Sequence, residues 1–242
     1  MSQADSAEPR ESGRSWRQNP EMRVHLHRDL EHLEKRIILL SERVQEAVRT
    51  AVRALNRGRY DLALEVIDGD GEIDRLEVEI EEECLKVLAL HQPVAVDLRF
   101  ITACLKIDND LERMGDLAVN IAERAADMAT MPPIAVPAEL QPMTEAVARM
   151  IQNSLDAFVR QDAKLARQIM ADDDEIDGYN RRIFEELIAT MRSEPERVEP
   201  CMLLISVSRY LERIADHATN VAEDVYYLVE GQIIRHKAGQ LT

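Results

Sequence analysis

A helical motif occurs twice in the chain, 100 residues apart, and it constrains the fold more than any other feature of the sequence. Residues 111–123 and 211–223 both reduce to L-E-R-x-x-D-x-A-x-N-x-A-E. In each copy the apolar residues recur at alternating steps of three and four, which is typical of one apolar stripe on a packed α-helix. The stripes are Leu111, Met114, Ala118, Ile121 and Ala125 in the first copy, and Leu211, Ile214, Ala218, Val221 and Val225 in the second.

Each copy also carries a pair of carboxylates, followed by an asparagine, on the helix face away from the apolar stripe. Like charges at positions i and i+4 oppose helix formation by roughly 0.2 to 0.5 kcal/mol per pair, so their presence in both copies needs an explanation. One explanation is a solvated face on which Arg113 and Arg213 neutralise the acids. The other is a hard cation bound by carboxylate and amide oxygens. The carboxylates and asparagine on this face are Glu112, Asp116 and Asn120 in the first copy, and Glu212, Asp216 and Asn220 in the second.

The duplication extends to the preceding helices, which carry a second acid pair in each half. Asp70 and Asp74 align with Asp173 and Asp177. Each half is thus predicted to contain an amphipathic helix, an acid-pair helix and the motif helix. Aromatic residues make up only 4% of the chain and there are 8 glycines, which is too few for a β protein. We predict an all-α fold of two tandem, duplication-related three-helix bundles.

Breaks in the helical pattern set the predicted boundaries. Residues 1–20 are polar and aperiodic and are expected to be a disordered tail. The first bundle is predicted over residues 21–130, a proline-rich linker over 131–137 and the second bundle over 138–236. Pro132, Pro133, Pro137 and Pro142 are the residues that interrupt the pattern.

Local signals predict several helix ends. Asp61 and Asp162 are expected to cap the second and fifth helices, because aspartate is a favoured N-cap residue. Pro93 is expected in the first turn of the third helix, where proline is tolerated. The sixth helix is predicted to continue to about Arg235.

The formal net charge of −16 argues against binding to nucleic acid or to an anionic bilayer, since both depend on basic surface. The cysteines, Cys84, Cys104 and Cys201, are scattered in apolar helical contexts and are interpreted as core residues in a reducing compartment. No stretch approaches the roughly 18 apolar residues that span a bilayer. We therefore expect a cytoplasmic protein with no membrane insertion.

Motifs for other chemistries are missing from the sequence. There is no Glu-x-x-His pair of the di-iron bundles, no phosphate-binding glycine loop and no nucleophile elbow, so no enzyme is expected. His217, beside Asp216, could ligate a metal, but it is interpreted as a solvated surface histidine. Gly115 lies in mid-helix, and either close helix approach or room for an ion or partner would explain it.

Taken together, these residues resemble the PhoU family of phosphate-signalling regulators. The similarity spans about residues 22–237 and is carried by segments 92–93, 97–99, 106–116 and 209–231. It implies a commonly dimeric cytoplasmic adaptor that contacts the ATPase subunit of the high-affinity phosphate ABC transporter and a phosphate-sensing histidine kinase. Such an adaptor is a negative regulator that keeps phosphate-starvation genes off when phosphate is plentiful. The alternatives are a metal-dependent helical-bundle enzyme and a purely structural oligomerisation module.

The resemblance also implies metal ions on the surface, because the family's E/D-x-x-x-D motif binds metal clusters in some members. By position it falls on Glu112/Asp116, Glu212/Asp216, Asp70/Asp74 and Asp173/Asp177, and iron, zinc, magnesium and manganese are the candidate ions. Ala215 replaces the usual glycine, and Ser208 and Tyr210 replace the acids Asp108 and Asp110 of the first half. The second site is therefore expected to be the weaker one.

Overall fold

The computed structural model describes residues 20–232, of which the side chains are described from residue 24 onward. This part of the chain is all-α and contains no strand. None of its helices is long and apolar enough to cross a membrane. The helices are α1 (Pro20–Arg57), α2 (Tyr60–His91), α3 (Val96–Ala129), α4 (Leu140–Arg160), α5 (Ala163–Ser193) and α6 (Val198–Glu230), and a short 3₁₀ helix (Pro195–Arg197) precedes α6.

The helices form two three-helix bundles in tandem, as the duplication predicts. Helices α1, α2 and α3 contact one another, and so do α4, α5 and α6. The predicted stripes form the core: Leu111, Met114, Ala118 and Ile121 of α3 have no solvent exposure. Burying an aliphatic side chain of this size contributes about 1.5 to 3 kcal/mol, so the stripes drive the association of the helices.

The two bundles share an interface in which α3 packs along α6 and α1 contacts α4. Phe100 of α3 stacks on Phe158 of α4 with a ring-centroid distance of 5.4 Å. The buried side chains of both bundles belong to one apolar cluster. The proline segment between α3 and α4 therefore separates two helical units whose cores touch.

Polar contacts fix the antiparallel register of α3 and α6. Lys106 Nζ lies 2.8 Å from Asp224 Oδ1, and His217 Nδ1 lies 2.8 Å from Asp110 Oδ1. Arg99 Nε donates to the carbonyl of Leu228 at 3.3 Å. The interpretation of His217 as a solvated surface histidine was wrong, since its side chain is only 20% exposed and is held in this interface.

Two of the predicted helix signals behave differently in the structure. Asp162 caps α5 as expected, and its Oδ1 accepts from the backbone N–H groups of Lys164 and Leu165. Asp61, however, lies inside the first turn of α2 and its carboxylate pairs with Arg59, which is the N-cap residue. The prediction that Asp61 caps α2 was therefore wrong.

The prolines also differ from expectation. Pro93 lies in the α2–α3 connection, because α3 begins only at Val96. Pro142 lies in the first turn of α4, where a missing N–H costs little. Helix α6 ends at Glu230, short of the predicted position, since Gly231 takes a left-handed conformation with φ 69°. The predicted tail over residues 1–20 lies outside the described residues except for Pro20, which begins α1.

Gly115 marks a close approach of α3 to α2. A Cβ atom at this position would lie 3.1 Å from Cγ2 of Ile73, a side chain that is 5% exposed. The contact is with an aliphatic side chain, so helix packing accounts for the glycine. The second half has the fully buried Ala215 at the corresponding place.

We predict that fragments 21–130 and 138–236 each fold into a helical bundle and that they associate when mixed. Each fragment retains three mutually packed helices, but it exposes the α3 or α6 face that the intact chain buries. Circular dichroism should show helix in each fragment, and mixing should raise the melting temperature of both.

Asp110→Ala in the first fragment should weaken this association, because it removes the partner of His217. The exposed Asp127→Ala provides the matched control. Unfolded fragments that regain structure only on mixing would contradict the prediction and would show that the halves depend on one core.

Candidate functional site

Four carboxylates of the first half lie along the edge where α2 meets α3; we call Asp70, Asp74, Glu112 and Asp116 the first acid cluster. Burial raises the pKa of Asp70, and the charges of Asp74 and Asp116 raise it further. Burial, Asp116 and Asp74 likewise raise the pKa of Glu112, against a lowering effect of Arg113. These residues were expected to face solvent, but the Glu112 side chain is only 20% exposed.

Arg113 partly neutralises the first acid cluster. Its Nη1 donates to Asp116 Oδ2 at 3.1 Å, and its Nε lies 3.3 Å from Glu112 Oε2. The second contact lacks hydrogen-bond geometry, and Glu112 Oε2 is a buried oxygen with no hydrogen-bond partner in the described part of the chain. The surface-pairing explanation is thus correct for Asp116, whereas Glu112 keeps an oxygen without a donor.

The acidic edge continues beyond the predicted residues through Glu77, Glu81 and Asp108. Asp108 is only 3% exposed. Burial, together with the charges of Glu77, Glu81 and Glu112, raises its pKa to about 8. Its Oδ1 has no hydrogen-bond partner among the described residues. At neutral pH this carboxyl therefore holds a proton for most of the time.

The second acid cluster, Asp173, Asp177, Glu212 and Asp216, occupies the equivalent edge between α5 and α6. Burial and the charge of Asp216, with smaller effects of Asp177, Asp174 and Glu212, raise the pKa of Asp173 to about 6. Burial and Asp177 raise the pKa values of Glu212 and Asp216. The structure therefore brings together the acid pairs that the sequence predicted from two separate helices in each half.

A neutral hydrogen-bond network replaces the extended acidic edge in the second half. Asn180 Nδ2 donates to Glu212 Oε2 at 2.8 Å, and Ser208 Oγ donates to Asn180 Oδ1 at 2.8 Å. Ser208 aligns with Asp108 and Asn180 with Glu77. One oxygen of Glu212 is consequently already occupied by an amide donor.

The two predicted asparagines do not join the carboxylates as ligands in this structure. Asn120 Nδ2 donates to the backbone carbonyl of Asp116 at 2.9 Å, within its own helix. Asn220 Nδ2 donates to Asp110 Oδ1 at 3.2 Å, which places it in the α3–α6 interface. The acid clusters are therefore composed of carboxylates.

Sequence reasoning missed Glu77 and Glu81 and noted Asp108 only as an acid that the second half lacks, although a signal for all three was available. Glu77 and Glu81 follow Asp74 at steps of three and four, and Asp108 precedes Glu112 by four. These spacings keep side chains on one helix face. Extending the periodicity of the acids, as was done for the apolar residues, would have found them.

The donor chemistry of both clusters suits a hard cation, because carboxylate oxygens are the preferred ligands of such ions. A bound cation would also offset the repulsion that raises the pKa values of these groups. The side-chain positions are not those of a formed site, however. Within residues 24–232, no group of three or more His, Cys, Asp or Glu side chains is arranged to hold a metal ion.

Fold and site together define a class: tandem, duplicated three-helix bundles with an acid cluster along the second and third helix of each half. The PhoU domain family matches residues 37–125 and 140–225. The chain belongs to the PhoU family. Two relatives carry the name phosphate-specific transport system accessory protein PhoU homolog. The one from Aquifex aeolicus is 43% identical to this chain, over 88% of this chain and 96% of the relative. The one from Deinococcus radiodurans is 37% identical, over 87% of this chain and 99% of the relative.

Solved structures agree with this assignment over most of the chain. The crystal structure of PhoU from Pseudomonas aeruginosa superposes with a TM-score of 0.80 at 36% identity and covers 85% of this chain and 99% of that one. The phosphate transport system regulatory protein PhoU from Streptococcus pneumoniae gives a TM-score of 0.80 at 29% identity, with coverages of 88% and 98%. The duplicated fold is therefore that of the family.

We predict that Asp108→Asn stabilises the metal-free protein, and does so more at high pH. The folded state keeps the Asp108 proton up to about pH 8, whereas an ordinary aspartate releases it near pH 3.8. Wild-type stability is thus lost as the pH rises through this interval, and asparagine does not titrate. Urea unfolding in the presence of a chelator should show a gain that grows by roughly 3 to 4 kcal/mol between about pH 5 and about pH 8.

The exposed Asp68→Asn on α2 is the matched control, since it makes the same chemical change outside the acidic edge. Its effect should be small at both pH values, because the Asp68 side chain is exposed. An equal gain for Asp108→Asn at both pH values would show that Asp108 ionises normally in the folded chain.

Proposed function

We propose that this protein is an accessory and regulatory protein of a phosphate-specific transport system. The observation that carries the proposal is the agreement in both sequence and fold, over most of the chain, with relatives of that name. The proposed action is negative regulation of the phosphate-starvation response in the cytoplasm. A homodimer of this protein would exert this action by contacting the transporter ATPase subunit and a sensor histidine kinase.

Protein contact fits the chain better than contact with DNA. The net charge is −16, and the described helices form amphipathic bundles rather than a basic recognition helix. An acidic surface attracts basic patches on partner proteins and makes the association rate sensitive to salt. The two tandem bundles also give this chain two separate faces, and a protein that bridges two partners needs such a pair.

Surface metal binding is the second part of the proposal. The supporting observation is that carboxylates from two helices face one another in each half and raise each other's pKa values. Glu112, Asp116, Asp70 and Asp74 would hold a cation in the first half after side-chain rotation, and the second acid cluster would do so in the second. A cation there would neutralise the carboxylates and stabilise the folded state by an amount that grows with the logarithm of its affinity once its concentration exceeds Kd.

Deleting the gene should switch on phosphate-starvation genes even at high phosphate. A starvation-gene reporter in the deletion strain measures this, and the wild-type gene should silence the reporter again. A reporter that stays silent in the deletion strain would favour the purely structural module. Phosphatase or oxidase turnover by the purified protein would favour the enzyme.

Neutralising the acid clusters should remove bound metal without unfolding the protein. Glu112→Gln with Asp116→Asn, and Glu212→Gln with Asp216→Asn, preserve side-chain size, and Asp68→Asn is the control. After loading with Mn²⁺, Fe²⁺ or Zn²⁺ and desalting, mass spectrometry of the metal content should show losses in both double variants. The second half should hold less metal in the wild type, because Asn180 already occupies Glu212.

The affinity of these sites for Mn²⁺ should fall as the pH drops. A carboxylate must lose its proton before it binds a cation, and the pKa of Asp173 is raised to about 6. Calorimetric titration should therefore give an affinity at least about tenfold lower near pH 5 than near pH 7. Metal content unchanged in the double variants, or an affinity independent of pH, would exclude the acid clusters as the site.

A further inference from the structure

A cavity of about 440 Å³ lies between the C-terminal turns of α1 and the N-terminal turns of α4. These helices belong to different halves, so the cavity lies at the junction of the two bundles. Its volume is within the roughly 300 to 1,000 Å³ of small-molecule sites. The acid clusters lie on other helix pairs, so this cavity is a separate feature.

The cavity has the opposite charge to the chain as a whole. Arg49, Arg53 and Arg57 line it from one face of α1, at successive steps of four residues. Glu145 is the only acid among the described lining residues. Three arginines against one glutamate make a local excess of positive charge in a protein with 46 acidic and 30 basic residues.

Most of the donors on these arginines are uncommitted within the described chain. The Arg57 side chain makes no hydrogen bond or ion pair with any described residue. Arg49 makes one long contact, 3.4 Å, with Gln45. Arg53 donates to Thr50 and to Glu46 at 2.7 and 3.3 Å through a single nitrogen. Each guanidinium has five N–H donors in a fork that matches phosphate oxygens, so the cavity holds many unused donors.

The opposite wall is fixed in place by its own hydrogen bonds. Asn56 Nδ2 of α1 donates to Gln141 Oε1 of α4 at 3.2 Å, and Gln141 Nε2 donates to Glu145 Oε1 at 3.0 Å. Glu145 is thereby held in a network on the α4 side. Helix α4 begins at Leu140, so the positive end of its dipole lies beside the cavity, next to the Glu139 carboxylate that pairs with Arg182.

We propose that this arginine cleft, formed by Arg49, Arg53, Arg57 and Gln141, binds a small ligand through a phosphate group. The free ligand is either inorganic phosphate or a nucleotide, which share the oxygens that the arginines recognise. A bound ligand would contact both α1 and α4 and so stabilise the junction between the halves. This proposal is independent of the proposed function, because it rests on the cleft alone.

Calorimetric titration of the full-length protein with inorganic phosphate, and separately with ATP, tests the proposal. Arg49→Gln combined with Arg57→Gln should weaken binding at least about tenfold, since two charge-assisted contacts are lost. Neither side chain has an ion-pair partner among the described residues, so the variant should keep its fold, which circular dichroism checks. The matched control is Arg160→Gln, an exposed arginine in the last turn of α4, as Arg57 is in the last turn of α1.

Binding of phosphate identifies the free anion as the ligand, and binding of ATP alone identifies a nucleotide. Either result supports the cleft if the double variant loses affinity and the control does not. No binding of either probe at millimolar concentration overturns the proposal. So does equal binding by wild type and double variant, or an equal loss in Arg160→Gln.

Discussion

The packing of α3 along α6 is the contact on which the rest of the structure depends. Each of these helices is the third helix of its own bundle and also the neighbour of its duplicate, so each must bury more than one face. Positions two apart on a helix point in nearly opposite directions. Asp108 and Asp110 illustrate this: Asp108 faces the acids of α2, whereas Asp110 meets His217 and Asn220 of α6. A central helix thus has little surface left for polar groups without partners.

Buried acids are expensive unless a proton, a counter-charge or a hydrogen bond compensates them. The chain uses all three means. Asp224 has the counter-charge of Lys106, Asp108 keeps a proton to about pH 8, and Glu212 accepts a hydrogen bond from Asn180. The two halves thus share a backbone plan but differ in how the acids are compensated. The first half has more carboxylates on the α2–α3 edge, whereas the second half has a serine and an asparagine at two of the corresponding positions.

Sequence periodicity was sufficient to predict the helices, the duplication and the pairing of acid-bearing helices, because an apolar stripe defines which face is buried. It could not define which partner covers a second face. The placements of His217 and Asn220 in the α3–α6 interface depend on how the bundles meet, and no local pattern specifies that. The errors at Asp61 and Pro93 have a different origin. The N-cap residues of α2 and α3 are Arg59 and Ala95, which make no side-chain cap, so no residue preference marks where these helices begin.

The acid clusters and the arginine cleft lie on different pairs of helices. The acids lie along the α2–α3 and α5–α6 edges, while three arginines line α1 where it meets α4. The apolar interiors of the two bundles form one continuous cluster. The acid clusters and the arginine cleft therefore differ in charge but lie over the same core. A ligand at the α1–α4 junction can influence a distant surface only if it favours one arrangement of the bundles over another. The contacts that define the arrangement are those of α3 with α6, and they include ionisable groups such as Asp110 and His217. A ligand at the α1–α4 junction would therefore act at a distance by changing how α3 packs along α6, where Asp110 and His217 form a polar contact between the bundles.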